Sequence, residues 1–265
     1  MKNSFAKRTA AAVFSAVVAA SAATGTLTST FITNLSDTAM TAVAAESSVK
    51  VLSAVGYGEG MYATWSSVSG ASGYNVYVDG KKIDSMLIRQ YAGYMRADAV
   101  GLKAGSHTMK IVPVINGNED GSKAGQTTAN ATAHKREGFG FKNGTSSGAY
   151  NDDGTLKSNA TVVYVTNANK DSVSVTIPDK KGANTTLTGV QNIITGLKSN
   201  TKVGPVCIRF IGNITDPATL NKGDLYVDTA TCGLTIEGIG SDATFNGFGL
   251  VLKNTSNCEV RTSAS

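Results

Sequence analysis

Short apolar runs punctuated by Gly, Asn, Asp, Ser and Thr fill the C-terminal half of the chain, at residues 206–214, 225–227, 234–239, 249–252 and 258–260. Such runs predict short β-strands joined by turns. Just before them the period changes. Val190, Ile193, Ile194 and Leu197 fall at i, i+3, i+4 and i+7, one apolar face of a short helix with Thr188 as its N-cap. The strands also repeat. Residues 234–237 and 258–261 align at an offset of 24, apolar over apolar and polar over polar, and residues 225–227 match 250–252 at an offset of 25. Stacked turns of a parallel β-solenoid produce such a period, whereas the strands of an ordinary sandwich recur about every 8–12 residues.

The first half reads differently. Residues 61–65, 73–78 and 106–115 alternate or run apolar, and Asp79-Gly80 and Asn116-Gly117 supply turn signals after the second and third. Residues 48–133 therefore predict a small β-sandwich that folds autonomously. Trp65 and Tyr74 belong in its core rather than on a sugar-stacking platform; Tyr57, Tyr91 and Tyr94 are the candidates for exposed aromatics. Residues 134–147 turn first to charge and then to Gly, Ser and Asn, the composition of a linker with little to bury, on which Phe139 and Phe141 are the docking groups. A second unit, 148–265, opens with an Asp153-Gly154 turn leading into a strand at 161–166. Asp152 and Asp153 read as turn residues before they read as calcium ligands or general acids.

Lys2, Lys7 and Arg8 precede an Ala-rich apolar run at residues 10–23, and small-residue cleavage sites follow near residue 22 and at residues 42–44. This is the pattern of a secretory signal peptide over residues 1–44, too short and too rich in Ala, Ser and Thr to span a membrane. The expectation is a secreted, extracellular protein. The formal charge of +5 falls to +3 once Lys2, Lys7, Arg8 and Asp37 are set aside. That mild excess, without Lys/Arg clusters, gives no footprint for nucleic acid. Cys207, Cys232 and Cys258 lie 25 and 26 residues apart, near the turn period, which would bring them close on adjacent turns. Three small buried core residues are expected before a disulfide, and a disulfide before a metal site, since no CxxC or His pairing accompanies them.

Two resemblances follow from these residues. Trp65, the stretch 68–78 (Val-Ser-Gly-Ala-Ser-Gly-Tyr-Asn-Val-Tyr-Val) and the stretch 101–107 (Gly-Leu-Lys-Ala-Gly-Ser-His) resemble a fibronectin type III domain. In that family a Tyr stands where His107 sits and bonds back across a sheet corner, so the resemblance implies that an imidazole substitutes. With only His134 as company, His107 is expected to be structural rather than catalytic or a ligand. The opening at 148–167, the helix, the phrases 209–215 (Arg-Phe-Ile-Gly-Asn-Ile-Thr) and 234–240 (Leu-Thr-Ile-Glu-Gly-Ile-Gly), and Gly247-Phe248-Gly249 resemble the start of a bacterial pectate lyase of the right-handed parallel β-helix type. Residues 258–261 (Cys-Glu-Val-Arg) resemble its next rung.

The combined expectation is an all-β chain: a fibronectin type III-like sandwich, then the first turns of a right-handed parallel β-helix with a short N-terminal capping helix. The lyase resemblance implies calcium-dependent β-elimination of polygalacturonate, with calcium held by several Asp/Glu and an arginine as base. It places those groups beyond the rung at Cys258. Asp224, Asp228, Glu237 and Asp242 are read as lying singly at strand edges and turns, and Arg209 and Arg261 match no catalytic motif. No catalytic, cofactor-binding or metal residue is therefore assigned. The expectation is a truncated lyase-like protein, inactive and prone to self-association through an uncapped solenoid end. The alternative is a non-catalytic secreted module that binds polysaccharide or a cell surface.

Overall fold

The computed structural model describes residues 45–136, 141 and 148–262; the signal-peptide expectation for residues 1–44, and Phe139, lie outside the described residues. Nine strands come first: β1 (Val51–Tyr57), β2 (Gly60–Trp65), β3 (Ala71–Val78), β4 (Lys81–Lys82), β5 (Ile88–Tyr91), β6 (Tyr94–Val100), β7 (Gly105–Ile115), β8 (Asn118–Glu119) and β9 (Gly125–Ala131). They form two antiparallel sheets, one in the order β1-β2-β6-β5, the other β4-β3-β7 with β8 and β9 both on β7. The turn chemistry explains the hairpins. Asp79-Gly80 (φ +49° and +80°) joins β3 to β4, and Asn116-Gly117 (φ +52° and +79°) joins β7 to β8; both central residues of a type I′ turn need positive φ. Inward residues of both sheets, Met61, Trp65, Val76, Ala97, Met109 and Ile111 among them, close on one core. Trp65 is fully buried and meets the Tyr74 ring edge-on at 5.2 Å, while the Tyr74 hydroxyl accepts from the Val68 N–H.

Six of the remaining strands pair in parallel. β10 (Thr161–Thr166), β13 (Val206–Thr215), β15 (Leu234–Asn246) and β17 (Cys258–Thr262) form one sheet in that order, and β14 (Leu225–Asp228) pairs with β16 (Leu250–Lys253) in another. Leu234 pairs with Cys258 and Leu225 with Leu250, so the sequence offsets of 24 and 25 are the registers of adjacent strands. Between β10 and β13 the chain inserts a hairpin, β11 (Ser174–Pro178) and β12 (Asn184–Thr188), and the helix α1 (Val190–Gly196). Val163, Val165, Ile208, Phe210, Leu225 and Leu234 line a second core, into which Val190, Ile193, Ile194 and Leu197 pack. Burial of those four contributes at most roughly 6–12 kcal/mol before ordering entropy is subtracted.

The helix start differs from expectation. Gly189, not Thr188, is the N-cap, at φ +85° and without a side-chain cap bond. Strand pairing continues through Thr188, whose hydroxyl bonds Ser174 across the hairpin at 2.8 Å. The chain then enters the helix through a left-handed backbone that glycine adopts at little cost. Among the described residues the fold is mostly β with a single α-helix, and no helix there is long and apolar enough to cross a membrane. All described residues belong to one compact unit.

Candidate functional site

Residues 206–211 are buried without a break, although alternation sends only Val206, Ile208 and Phe210 into the second core. Cys207, Arg209 and Ile211 point to the other face, which must therefore be covered. The parallel register stacks Tyr164, Arg209, Glu237 and Arg261 in one column across β10, β13, β15 and β17. Glu237 sits between two guanidinium groups. Its Oε2 accepts from Arg209 Nε at 3.1 Å and its Oε1 from Arg261 Nε at 2.9 Å. The Tyr150 hydroxyl donates to Oε2 at 2.6 Å and accepts from Arg209 Nη2 at 3.0 Å, while Arg209 Nη1 donates to the Tyr164 hydroxyl at 2.9 Å. Glu237 is fully buried mid-strand. For Glu237 the expectation of a single acid at an edge or turn is corrected.

Ala149 and Tyr150 cover Cys207, and further cover comes from residues 45–136. Glu59, in the turn between β1 and β2, is buried at 1 % exposure. Its Oε2 accepts from Arg261 Nη1 and its Oε1 from Arg136 Nη2, both at 2.7 Å. Arg136 Nη2 also donates to the Asn151 carbonyl at 2.6 Å. Arg136, within the stretch of linker composition, is thus held at 12 % side-chain exposure. Phe141, the other expected docking group, lies 5.7 Å from that guanidinium. Glu59 is held in place by its backbone: its carbonyl accepts from the Gly101 and Leu102 N–H groups, and its φ of +57° is uncommon for a residue with a Cβ. Gly154 fits beneath it at φ +89°, where a Cβ would come within 2.7 Å of Glu59 Cγ and the Leu102 carbonyl.

Two further contacts extend the joint. Leu87 from the antiparallel side packs with Ile211 and Ile239 from the ladder. Arg89 bridges Asp98 within its own sheet and Asp242 on the ladder, each at 2.7 Å, and the Tyr91 hydroxyl donates to Asp242 at 3.0 Å.

The electrostatics favour fixed charge over proton transfer. Burial opposes the Arg209 charge, but the Tyr150 oxygen and Glu237 outweigh it and hold the pKa well above the ordinary value. Arg261 is raised in the same way, chiefly by Glu237 against burial. Tyr150 is held well above its usual value, first by burial and then by Glu237. Burial raises Glu259 as well. Arginines held so firmly protonated are unsuited to act as a base.

The four rung acids have other partners. Glu237 and Asp242 are ion-paired as described, Asp228 pairs with Lys198 at 2.6 Å, and Asp224 accepts from the Gly249 N–H at 2.8 Å. A cation site needs several oxygen ligands converging on one point. Among the described residues no group of three or more His, Cys, Asp or Glu is so placed. Asp153 accepts from the Thr155 N–H and hydroxyl, a turn role, and these bonds pull its pKa to about 2.

Of the remaining candidates, His107 is tied at both nitrogens, to Asp79 Oδ2 at 2.6 Å and to the Lys103 carbonyl at 2.8 Å. It does bond back to backbone four residues upstream. Tyr57, expected to be exposed, is buried against the second strand and Ala99, because β1 turns inward at its end; Tyr91 and Tyr94 are half-buried and stack at 5.1 Å. The three cysteines are unpaired but do not gather. Cys258 and Cys232 border the inner core, whereas Cys207 faces the joint beside Tyr150. Beside the ladder lies a cleft of about 460 Å³, with Lys81, Lys82, Lys103 and His107 around Leu102 and Leu156.

No family model matches the chain, and no curated protein does. Several solved structures are similar over part of it. A polysaccharide lyase aligns at 13 % identity and a TM-score of 0.24, covering 33 % of this chain and 12 % of that one. A Bacteroides fragilis structure titled as a β-galactosidase aligns at 20 % identity and 0.26, covering 33 % and 13 %. A family 28 exopolygalacturonase of Yersinia enterocolitica aligns at 12 % identity and 0.26, covering 74 % and 32 %. The chain thus spans about a third or less of the length of these three structures.

Proposed function

We propose that this chain is part of a secreted, pectate lyase-like protein directed at polygalacturonate. A fibronectin type III-like sandwich (48–133) precedes the first turns of a parallel β-helix (148–265), and the described residues supply scaffold rather than the catalytic groups. The observation that carries the proposal is the in-register parallel ladder whose third strand, β15, begins with the lyase-like phrase 234–240. Export is supported by the basic start and Ala-rich run of residues 1–44. The scaffold role is supported by the partners of the rung acids, each of which is committed to a cation or a backbone N–H.

Two assays on the purified 45–265 protein test this. Retention on a calcium–polygalacturonate gel, but not on a neutral glucan, is expected; absence of retention overturns the substrate class. No unsaturated product should accumulate from polygalacturonate with calcium. Turnover that a chelator abolishes would mean that Asp224, Asp228 or Glu237 does form a site, and would overturn the scaffold role. A second reading, a non-catalytic binding module, is favoured by the lysine-rimmed cleft at the joint. Retention lost in a Lys81→Gln/Lys103→Gln variant would select it.

A further inference from the structure

We infer that the antiparallel unit serves as a lateral cap for the parallel ladder: the surface it binds is the ladder's own polar outer face. The inference is independent of any polysaccharide. Solenoid strands ordinarily bury their inner side and leave the outer side to solvent or ligand. Here the outer side carries Arg209, Glu237, Glu259 and Arg261, each at low exposure. A buried charge without a partner is strongly destabilising. Within the column, two guanidinium groups flank Glu237, and the ladder's second carboxylate, Glu259, comes only within 3.8 Å of Arg261 without a hydrogen bond from its near oxygen. Glu59 supplies the hydrogen-bonded carboxylate for Arg261 Nη1 from a position 202 residues earlier, on a backbone already fixed by its bonds to Gly101 and Leu102.

The same surface is matched apolar to apolar and charge to charge along its length. Leu87 meets Ile211 and Ile239, and Arg89 and Tyr91 reach Asp242. Tyr150 lies under the Arg261 guanidinium, 3.9 Å from ring centre to carbon. Removing the cap would uncover Ile211 and Ile239 and take from Arg261 the carboxylate of Glu59. The capped state is therefore the one in which β13, β15 and β17 hold their register.

Thiol labelling of the full chain tests this, because Cys207 lies beneath Ala149, Tyr150 and Leu156, a segment tied to Glu59 through Arg136 and the Asn151 carbonyl, while Trp65 reports on the antiparallel core alone. The labelled cysteine is located by peptide mass spectrometry. In native buffer, Glu59→Gln should speed Cys207 labelling at least tenfold while Trp65 fluorescence stays native; an unchanged labelling rate overturns the inference. A Glu59→Leu/Arg136→Gln/Arg261→Met variant, which removes Glu59 together with both of its cations, should restore slow labelling, and failure to do so counts against the charge pairing. If Glu59→Gln does not yield folded protein, the wild type decides by denaturant titration. Cys207 should become reactive no later than Trp65 becomes exposed. A Cys207 that stays protected after Trp65 is exposed would show a ladder that stands without its cap.

Discussion

Glu59 Oε2 and Arg261 Nη1 are 2.7 Å apart and separated by 202 residues of sequence. One sits in the first turn of the antiparallel sheets, the other in the last strand of the parallel ladder, and both side chains are at least nine-tenths buried. Arg261 continues to Glu237 and Glu237 to Arg209, so one contact joins two sheet systems through a chain of alternating charge.

Breaking that contact on one side should be costly. Glu59→Gln or Arg261→Met alone is expected to destabilise the protein by less than the roughly 3–5 kcal/mol of a fully uncompensated buried charge, because Arg261 keeps Glu237 and Glu59 keeps Arg136. The double variant should lose less than the sum, and a double-mutant cycle by chemical denaturation measures the difference. Additive losses would mean that the two side chains do not interact.

Trp65 is the largest side chain of the antiparallel core and has no exposure to solvent. Trp65→Ala should cost about 3–5 kcal/mol, the usual range for a deleted buried aromatic. In the wild type its emission should be that of a buried indole; a maximum matching exposed tryptophan would contradict the packing against Tyr74.

All three thiols should be free and sluggish. Burial pushes the Cys207 pKa up to about 12 and those of Cys232 and Cys258 to about 11, so little thiolate exists near neutral pH. Titration of denatured, unreduced protein should find three thiols. Finding one would mean that a pair is bridged, Cys232 and Cys258 being the two whose charges sense each other.

The His107–Asp79 pair sets a pH window. Burial works against the imidazolium, but the bonds to Asp79 and to the Lys103 carbonyl outweigh it and raise the His107 pKa. The bond from His107 is the main cause of the depressed Asp79 pKa. A raised histidine stabilises fully below its unfolded value of about 6.5 and loses that contribution as pH rises through the folded value. A lowered aspartate contributes above about 3.9 and loses it as pH falls. The advantage of wild type over His107→Gln should therefore be greatest between about pH 4 and 6.5 and shrink toward pH 8.5. It should stay below about 1 kcal/mol, since Asp79 is half exposed and solvent screens the pair. Thermal melts of both proteins across this range check it; an advantage that grows toward pH 8.5 refutes the assignment.

Local chemistry and periodicity determined much of the strand plan. The 3.6-residue period located α1, the dipeptides Asp79-Gly80 and Asn116-Gly117 located two hairpins, and offsets of 24 and 25 gave the parallel registers. The same offset placed Glu237 against Arg261, so a carboxylate beside a guanidinium was already legible. Arg209 within an otherwise apolar run was a second sign of a covered outer face. Only the tertiary structure decided that this face is buried, and by what. Glu59 and Arg136 carry no periodic signature, because a side-chain ion pair constrains two points in space and leaves the intervening sequence free. Tyr57 and residue 136 were misplaced for the same reason: their burial depends on which surfaces meet, and that is set by the packing of the two sheet systems on each other.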